Sequence, residues 1–591
     1  MRVIENRDRS RLIAAAMQKI PCDLTIENVK FVNVITGEIY PASVDILDGI
    51  VIRVRTEGEM TKKPSNEIYD GKGNYLVPGF IDIHMHIEST MMIPENFGRA
   101  AILCGTTSVF VDPHEIGNVM GIPGVRFMVE NARKSPVRQF NLAPSCVPSV
   151  PGVEGAGAEF NAGEIADLLG MDGVYGIAEV MDFVNVVQDA PRMHDIVEEG
   201  LKRDCLIQGH APGVLGKELA AYILAGPTDN HSLSTAEEAC QDLRAGLYAN
   251  FQESSLSARR MPELLKGIKN HRWHDHVTLC TDDVHAKDLM ETGHVNRLIK
   301  SVLMEGIDPV EAIRWATYNS GRDSGFRDLG AIAPGYVADI QLLGELDGRN
   351  PEAVFVAGKL AAEHGVLVGE YKEDEGSAFQ PENTVHIDYI TGPDMFRLKA
   401  PVENGTVRAA VMDYDYNGTG KTEVVYEEVP VRDGYVDISG KDELHYMSVW
   451  NRHKSTDHTI TLCRNFGLLK GAMGSTIAHD CHNLVLAYRD REDAHLAARA
   501  LAECGGGICA VHQGEVKGLL KLPVAGLMST LPCEKLVPEI GAAEAAVDQL
   551  CDRKGKLMKA AILSLACIPM AVITDRGLVD GRTQKFYELF Q

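Results

Sequence analysis

Apolar and polar residues alternate along residues 23–54, DLTIENVKFVNVITGEIYPASVDILDGIVIRV, with turn signals at Thr36-Gly37 and Asp48-Gly49. Alternation with period two predicts short strands with one buried face, so the chain opens on a small β unit. A second piece of the same character, AIAPGYVADIQLL at 331–343, follows a long middle region. In that middle region apolar runs alternate with helical patterns. The runs are TTSVFVD near Thr106, QFNLAP near Gln139, VYGIAEV near Val174, CLIQGH near Cys205, GLYANF near Gly246 and VTLCTDD near Val277. Strands alternating with helices over about 250 residues predict a TIM-like (β/α)8 barrel, an α/β fold. From about Thr384 the chain continues with more strand-like stretches and helical ones such as DAHLAARALAECGG at 493–506.

In a parallel barrel, chemistry sits where strands end. The run PGFIDIHMHIES at 78–89 enters through Pro78 and Gly79 and ends in His84 and His86. Side chains two apart on a strand share a face, so both imidazoles can grip one ion. Glu179 ends GIAE, His210 ends CLIQGH, Asp282 ends TLCTD, and His231 follows a shorter segment in GPTDNHS. Any one of these histidines alone is more often a hydrogen-bonded structural residue. As a set, nitrogen and carboxylate donors at successive strand ends describe a divalent transition-metal centre with room for water. Neighbouring residues on a strand point to opposite sides, so only one of Asp282 and Asp283 can face the centre without a bulge. Asp282 directly follows Thr281 at the end of the apolar run. The segment STIAHDCHNLVLAY at 475–488 carries His479, Asp480 and His482. Taken alone, it could be a second metal site, a substrate contact or a polar turn before a strand; the structural reading comes first and a pocket-facing role second. LPVAGLMS at 522–529 reads as packing or loop, and no internal repeat, Walker loop or dinucleotide fingerprint is present.

Composition narrows the partners. The chain has 591 residues, 45% of them hydrophobic, enough for several packed cores. The formal charge is −25, from 58 basic and 83 acidic residues, which opposes nucleic-acid phosphates and anionic membranes and favours a small neutral or cationic substrate. The first twenty residues mix charge signs and lack the apolar core of a signal peptide, and no run is long enough to span a bilayer. Thirteen scattered cysteines without a CxxC pair argue against a disulfide framework or a thiolate zinc site. Cytoplasmic residence is the resulting expectation.

With these residues assembled, the chain resembles the amidohydrolase superfamily and, within it, the bacterial adenine deaminase family. PGFIDIHMH, the later strand-end histidines, TDD and PGYVADIQLL carry the general likeness. HIEST at 86–90, VDPHEIGNV at 111–119, GIAEVMDF at 176–183 and AHDCHN at 478–483 carry the narrower one. The resemblance implies a split small β-sandwich domain in residues 1–77 and 330–383, a metal-dependent barrel in 78–329, and an additional α+β domain in 384–591. Many relatives bridge two metals with a carboxylated lysine; here Glu179 stands at that position and bridges without modification. By resemblance His84, His86, Glu179 and Asp282 surround one metal, and Glu179, His210 and His231 hold the other. Asp282 takes the last-strand aspartate position by the same resemblance, leaving Asp283 to begin the loop, cap the next helix or hold a ligand histidine from behind. Manganese is the first choice, with iron and zinc behind it.

The implied reaction is hydrolytic deamination of adenine to hypoxanthine and ammonia, in purine salvage, with water activated by the metals. Asp282 moves the water's proton to the leaving amine, and Glu115 protonates N1, with His114 or Glu88 as alternatives. Ser89, Glu88 and His114 are further substrate contacts, while His114 and Glu115 also fit a supporting pair behind the ligands. A different amidohydrolase acting on a cyclic amide or another aminated heterocycle is the second reading, and a metal-free scaffold the third. Fold-level analogy suggests a homo-oligomer.

Overall fold

The computed structural model describes residues 1–56, 59, 65–256, 259–369, 382–415, 421–552, 559–568 and 570–591. Its centre is a TIM-like α/β domain. Strands Phe80–His86, Thr106–Val111, Arg138–Ala143, Val174–Val180 and Leu206–Gly209 form one parallel arc. Asp229–Asn230, Tyr248–Gln252 and Val277–Cys280 form a second. Every residue of Phe80–His86 is buried, as expected of a parallel strand covered on both faces. Gly79 leads into it because a Cβ there would lie 2.3 Å from the Thr107 side chain. Only glycine leaves room there for the Thr107 side chain.

The end of the arc returns to its beginning. The short strand Asp282–Asp283 pairs in parallel with Phe80–His86, with Asp282 opposite Met85 and Asp283 opposite His86. Asp82 pins this junction: one carboxylate oxygen accepts from the Thr281 amide at 3.1 Å, the other from the Thr281 hydroxyl at 2.6 Å. Burial pushes the Asp82 carboxyl up to about 7 despite those bonds.

Two mixed sheets flank the α/β domain. The first joins the chain's opening strands to the piece that returns after the middle region. Tyr75–Pro78 runs antiparallel to Ile340–Leu343, inside a nine-stranded sheet. The second, also nine-stranded, is built from residues 405–521 and packs beside helices Arg491–Cys504 and Cys533–Asp548. The expected junction between 383 and 384 adjoins residues 370–381, which lie outside the described residues. Among the described residues no helix is long and apolar enough to cross a membrane.

The later part of the chain sits on the rim of the α/β domain where the strands end. Ser529 donates its amide to Met91 O at 2.8 Å, Asn96 Nδ2 donates to Thr530 O at 2.8 Å, and Asn483 Nδ2 donates to Gly155 O at 2.8 Å. One apolar cluster runs through both parts, from Met85, Ile87, Met92 and Phe97 to Met528, Leu536 and Ile540.

Arg452 holds the segment that reaches furthest in. Its guanidinium is fully buried and donates to His482 O, to Ala525 O at 2.9 Å and to Thr384 Oγ1 at 2.9 Å. Burial alone lowers it to about 9. His453 Nε2 donates to Cys481 O at 2.7 Å beside it. Arg452→Met should therefore destabilise the protein by about 3–5 kcal/mol, because it orphans buried acceptors that cost about 1–3 kcal/mol each. Chemical denaturation of the variant measures the loss. A change under about 1 kcal/mol would mean that the carbonyls find other donors.

Candidate active site

The donors gather at the strand ends around one carboxylate. Glu179 Oε1 lies 3.3 Å from His86 Nε2 and 4.0 Å from His84 Nε2. Its other oxygen lies 2.5 Å from His210 Nδ1 and 3.3 Å from His231 Nε2. Asp282 Oδ1 completes the first set at 3.3 Å from His86 Nε2 and 3.8 Å from His84 Nε2. The His84 and His231 rings stack at 3.9 Å between centroids. The six residues expected to hold metal are thus brought together, each oxygen of Glu179 facing a separate pair of imidazoles.

Partners behind the rings decide which nitrogens face the centre. Gln208 gives its amide N–H to Ile83 O at 2.5 Å, and its carbonyl oxygen accepts from His84 Nδ1 at 2.9 Å. The Asp112 carbonyl accepts from His86 Nδ1 at 3.1 Å. Both Nε2 atoms are left with lone pairs facing inward, the usual way an outer partner orients a metal-binding histidine. His84 Nε2 is buried with no hydrogen-bond partner, and Glu179 Oε2 meets only the ring nitrogens of His210 and His231. Buried polar atoms in that state are costly unless something coordinates them. The donor set fits divalent cations.

For His84 and Glu179 the electrostatics point the same way, whereas His86, against the effect of burial, is held well above the ordinary imidazole range by Asp282 and Glu179. Burial and the nearby His231 hold His84 well below the ordinary imidazole range, leaving it neutral and able to ligate. Burial opposes charge on Glu179, yet His210, His231 and His86 outweigh it and hold the carboxyl well below its usual range.

A second, acidic region adjoins the first. Ser89 Oγ lies 2.5 Å from Asp283 Oδ1 and 3.1 Å from Glu115 Oε1. Glu88 accepts from the Ile116 amide at 3.3 Å, its other oxygen is unpartnered, and burial together with Glu115 pushes it up to about 8. His114 Nδ1 lies 3.0 Å from Asp112 Oδ2 and 3.6 Å from Glu179 Oε1. Ser89, Glu88, His114 and Glu115 therefore all line the same buried region as the metal donors.

Two expectations are corrected here. Asp283 does not turn away into a loop. Asp282 has φ +56°, which breaks strand alternation and lets both carboxylates face inward, with Asp283 raised to about 6 by burial and by Asp282. The segment at 475–488 is not a polar turn remote from the chemistry. His479 Nδ1 lies 3.3 Å from Glu115 Oε1, and Asp480 Oδ1 lies 3.7 Å from His114 Nε2. All three of His479, Asp480 and His482 are buried. Sequence reasoning also missed Gln208 and Asp112, whose one signal was a polar residue within or just after an apolar run.

Strand ends carrying buried histidines and carboxylates on a TIM-like α/β domain define a hydrolase of the amidohydrolase type with a divalent-metal site, and residues 75–361 match the amidohydrolase family model. Residues 420–585 match the adenine deaminase C-terminal domain. The adenine deaminase of Moorella thermoacetica is 37% identical over 98% of this chain and 97% of its own. The adenine deaminase 2 of Carboxydothermus hydrogenoformans is 37% identical over 97% and 98%, and that of Klebsiella pneumoniae 34% over 98% and 95%. The chain belongs to the adenine deaminase family. Among solved structures, a β-aspartyl dipeptidase from Fervidobacterium islandicum is 19% identical with TM-score 0.46, covering 59% of this chain and 100% of that one, a likeness too slight to add to the assignment.

Proposed function

We propose that this chain hydrolyses adenine to hypoxanthine and ammonia at a binuclear divalent metal centre, in cytoplasmic purine salvage and as a homo-oligomer. We assign His84, His86, Glu179 and Asp282 to one ion and Glu179, His210 and His231 to the other, with manganese preferred over iron and zinc. The observation that carries this reading is Glu179, whose two oxygens face separate histidine pairs. We read the two parallel arcs as halves of one eight-stranded barrel. The division at 1–77, 78–329, 330–383 and 384–591 belongs to the same proposal.

Divalent cations held by these residues would lower the pKa of bound water and so supply a nucleophile near neutral pH. Asp282 accepts the proton that this water gives up on attacking C6 and passes it to the departing amine, which leaves as ammonia. Glu115, held by Ser89, protonates N1 as electron density moves onto the ring. Glu88, held protonated by its surroundings, and His114 are the alternative donors. Asp283 anchors Ser89, and so the Glu115 carboxyl, beside the metal donors.

Ammonia release from adenine by the metal-loaded enzyme tests the reading, with adenosine expected to be turned over at least about 10²-fold less well, because the buried site encloses a free base. Equal turnover of adenosine, or activity confined to cyclic amides, would overturn the substrate.

His84→Ala and Glu179→Gln should each lower metal content and remove most activity. Losing one donor nitrogen, or the carboxylate that balances both cations, weakens the whole cluster. Elemental analysis beside turnover decides this. A Glu179→Gln enzyme with two metals per chain and normal rate would assign the bridge elsewhere.

Asp282→Asn should leave the fold in place and depress kcat by about 10²-fold or more, the scale of general acid–base catalysis. Asp283→Asn should do less, since an amide still bonds Ser89. A folded, dead Asp283 variant beside an active Asp282 variant would exchange the two roles.

A further inference from the structure

Three buried side chains lie beyond the metal donors and have no part in the reaction as assigned except through Glu115. His479 Nδ1 is 3.3 Å from Glu115 Oε1, His482 Nε2 is 3.8 Å from Glu115 Oε2, and the two rings lie 5.3 Å apart at an angle. Nε2 of each ring is buried and has no hydrogen-bond partner. By donor count alone this group would suit a third cation.

The tautomers argue otherwise. The Ala478 amide donates to His482 Nδ1 at 3.3 Å, so that nitrogen holds the lone pair. In a neutral ring the proton then sits on Nε2, and a protonated ring nitrogen cannot ligate a metal. His479 is arranged the opposite way. Its Nδ1 faces Glu115 Oε1, which remains an acceptor when the acid proton of Glu115 sits on Oε2, and this keeps the ring proton on Nδ1 and leaves Nε2 as a bare acceptor. Asp480, the residue between them, lies 3.7 Å from His114 Nε2 and 3.9 Å from His479 Nδ1. One stretch of chain thus offers an N–H and a lone pair, each oriented by a neighbour and each unsatisfied in a desolvated site.

The geometry points to His479 and His482 as the residues that read the five-membered ring of the substrate, His479 Nε2 accepting the ring N–H and His482 Nε2 donating to an unsubstituted ring nitrogen. This rests on the adenine reading above. A free purine base has one N–H and one bare nitrogen on that ring. A nucleoside, or any N9-alkylated base, has carbon where the N–H would be. The pair that binds the base therefore rejects the nucleoside, because a buried acceptor built for an N–H is left facing carbon. Arg452 and His453 keep the stretch in place through the carbonyls of His482 and Cys481. His479 itself is fixed at its backbone, its amide donating to Ala561 O at 3.2 Å and its carbonyl accepting from Ser564 Oγ at 3.3 Å.

The test compares adenine with 9-methyladenine, which is small enough to separate loss of the N–H from the bulk of ribose. The full-length, metal-loaded enzyme should prefer adenine by about 10²-fold or more in kcat/KM. His479→Phe keeps a ring of similar size and removes the acceptor. It should lose about tenfold or more on adenine, mainly through KM, little on 9-methyladenine, and so narrow the preference to within about tenfold. His479→Gln, whose carbonyl can accept, should restore much of it. His482→Phe should weaken both substrates alike. Metal content and thermal unfolding are measured for every variant, and competition by purine against 9-methylpurine on the unmutated enzyme repeats the comparison without a substitution. A folded His479→Phe enzyme that keeps the full preference overturns the inference, as does equal competition by the two purines. Loss of metal below two per chain in either histidine variant would overturn it in favour of ligation. An unmutated enzyme inactive on adenine would sink the adenine reading first, and this inference with it. An active one with unchanged discrimination in the variants would sink this inference alone.

Discussion

Everything at this site is arranged around one carboxylate. Glu179 lies between the His84–His86 side and the His210–His231 side, in a region where water has little access and none of its polar neighbours can be left unpaired cheaply. Satisfying that arrangement needs positive charge, and the way Gln208 and the Asp112 carbonyl aim the rings shows where that charge belongs. The fold carries the same constraint further out. Asp282 reaches the cluster because its short strand pairs with the one bearing His84 and His86, and that pairing is secured by Asp82. A change in the register of this closure would move donors from both ends of the α/β domain together.

Much of this could be read from the chain before folding. Residues such as His84, His86, Glu179 and His210 were visible because each ends a compact apolar run, and strand ends on a parallel sheet converge by geometry. The pair Asp282 and Asp283 was half legible. Alternation admitted only one of them and the family resemblance chose the first, but one residue in the left-handed region reset the alternation, and no periodic pattern reports a single φ angle. The stretch containing His479 and His482 was least legible, since its polar residues precede a strand in the ordinary way. Their function depends on meeting Glu115 across more than 360 residues of sequence, and local patterning carries no information about such a meeting.

The two parts of the site do different physical work. On the metal side, bare nitrogens and ionised oxygens face one another in an arrangement that fits divalent metal. On the other side, Ser89, Glu115, Asp283 and the two later histidines form a region of directed donors and acceptors. The first has the character of a reaction centre and the second that of a reading surface. They meet at Glu115 and His114, whose contacts extend to both.

The burial of Arg452 has a consequence for how the molecule is made. Asp282, the last of the assigned metal donors, leaves the ribosome 170 residues before Arg452 and 200 before His482. Domains generally begin to fold in the order of their synthesis. The metal donors are therefore complete in the nascent chain while the rim around Met92 and Phe97 still awaits the apolar residues that will cover it. During that interval the growing chain holds an exposed apolar rim beside an unfinished pocket, and the guanidinium that later threads into the carbonyls of His482 and Ala525 shapes, within the later part, the stretch that will complete the site.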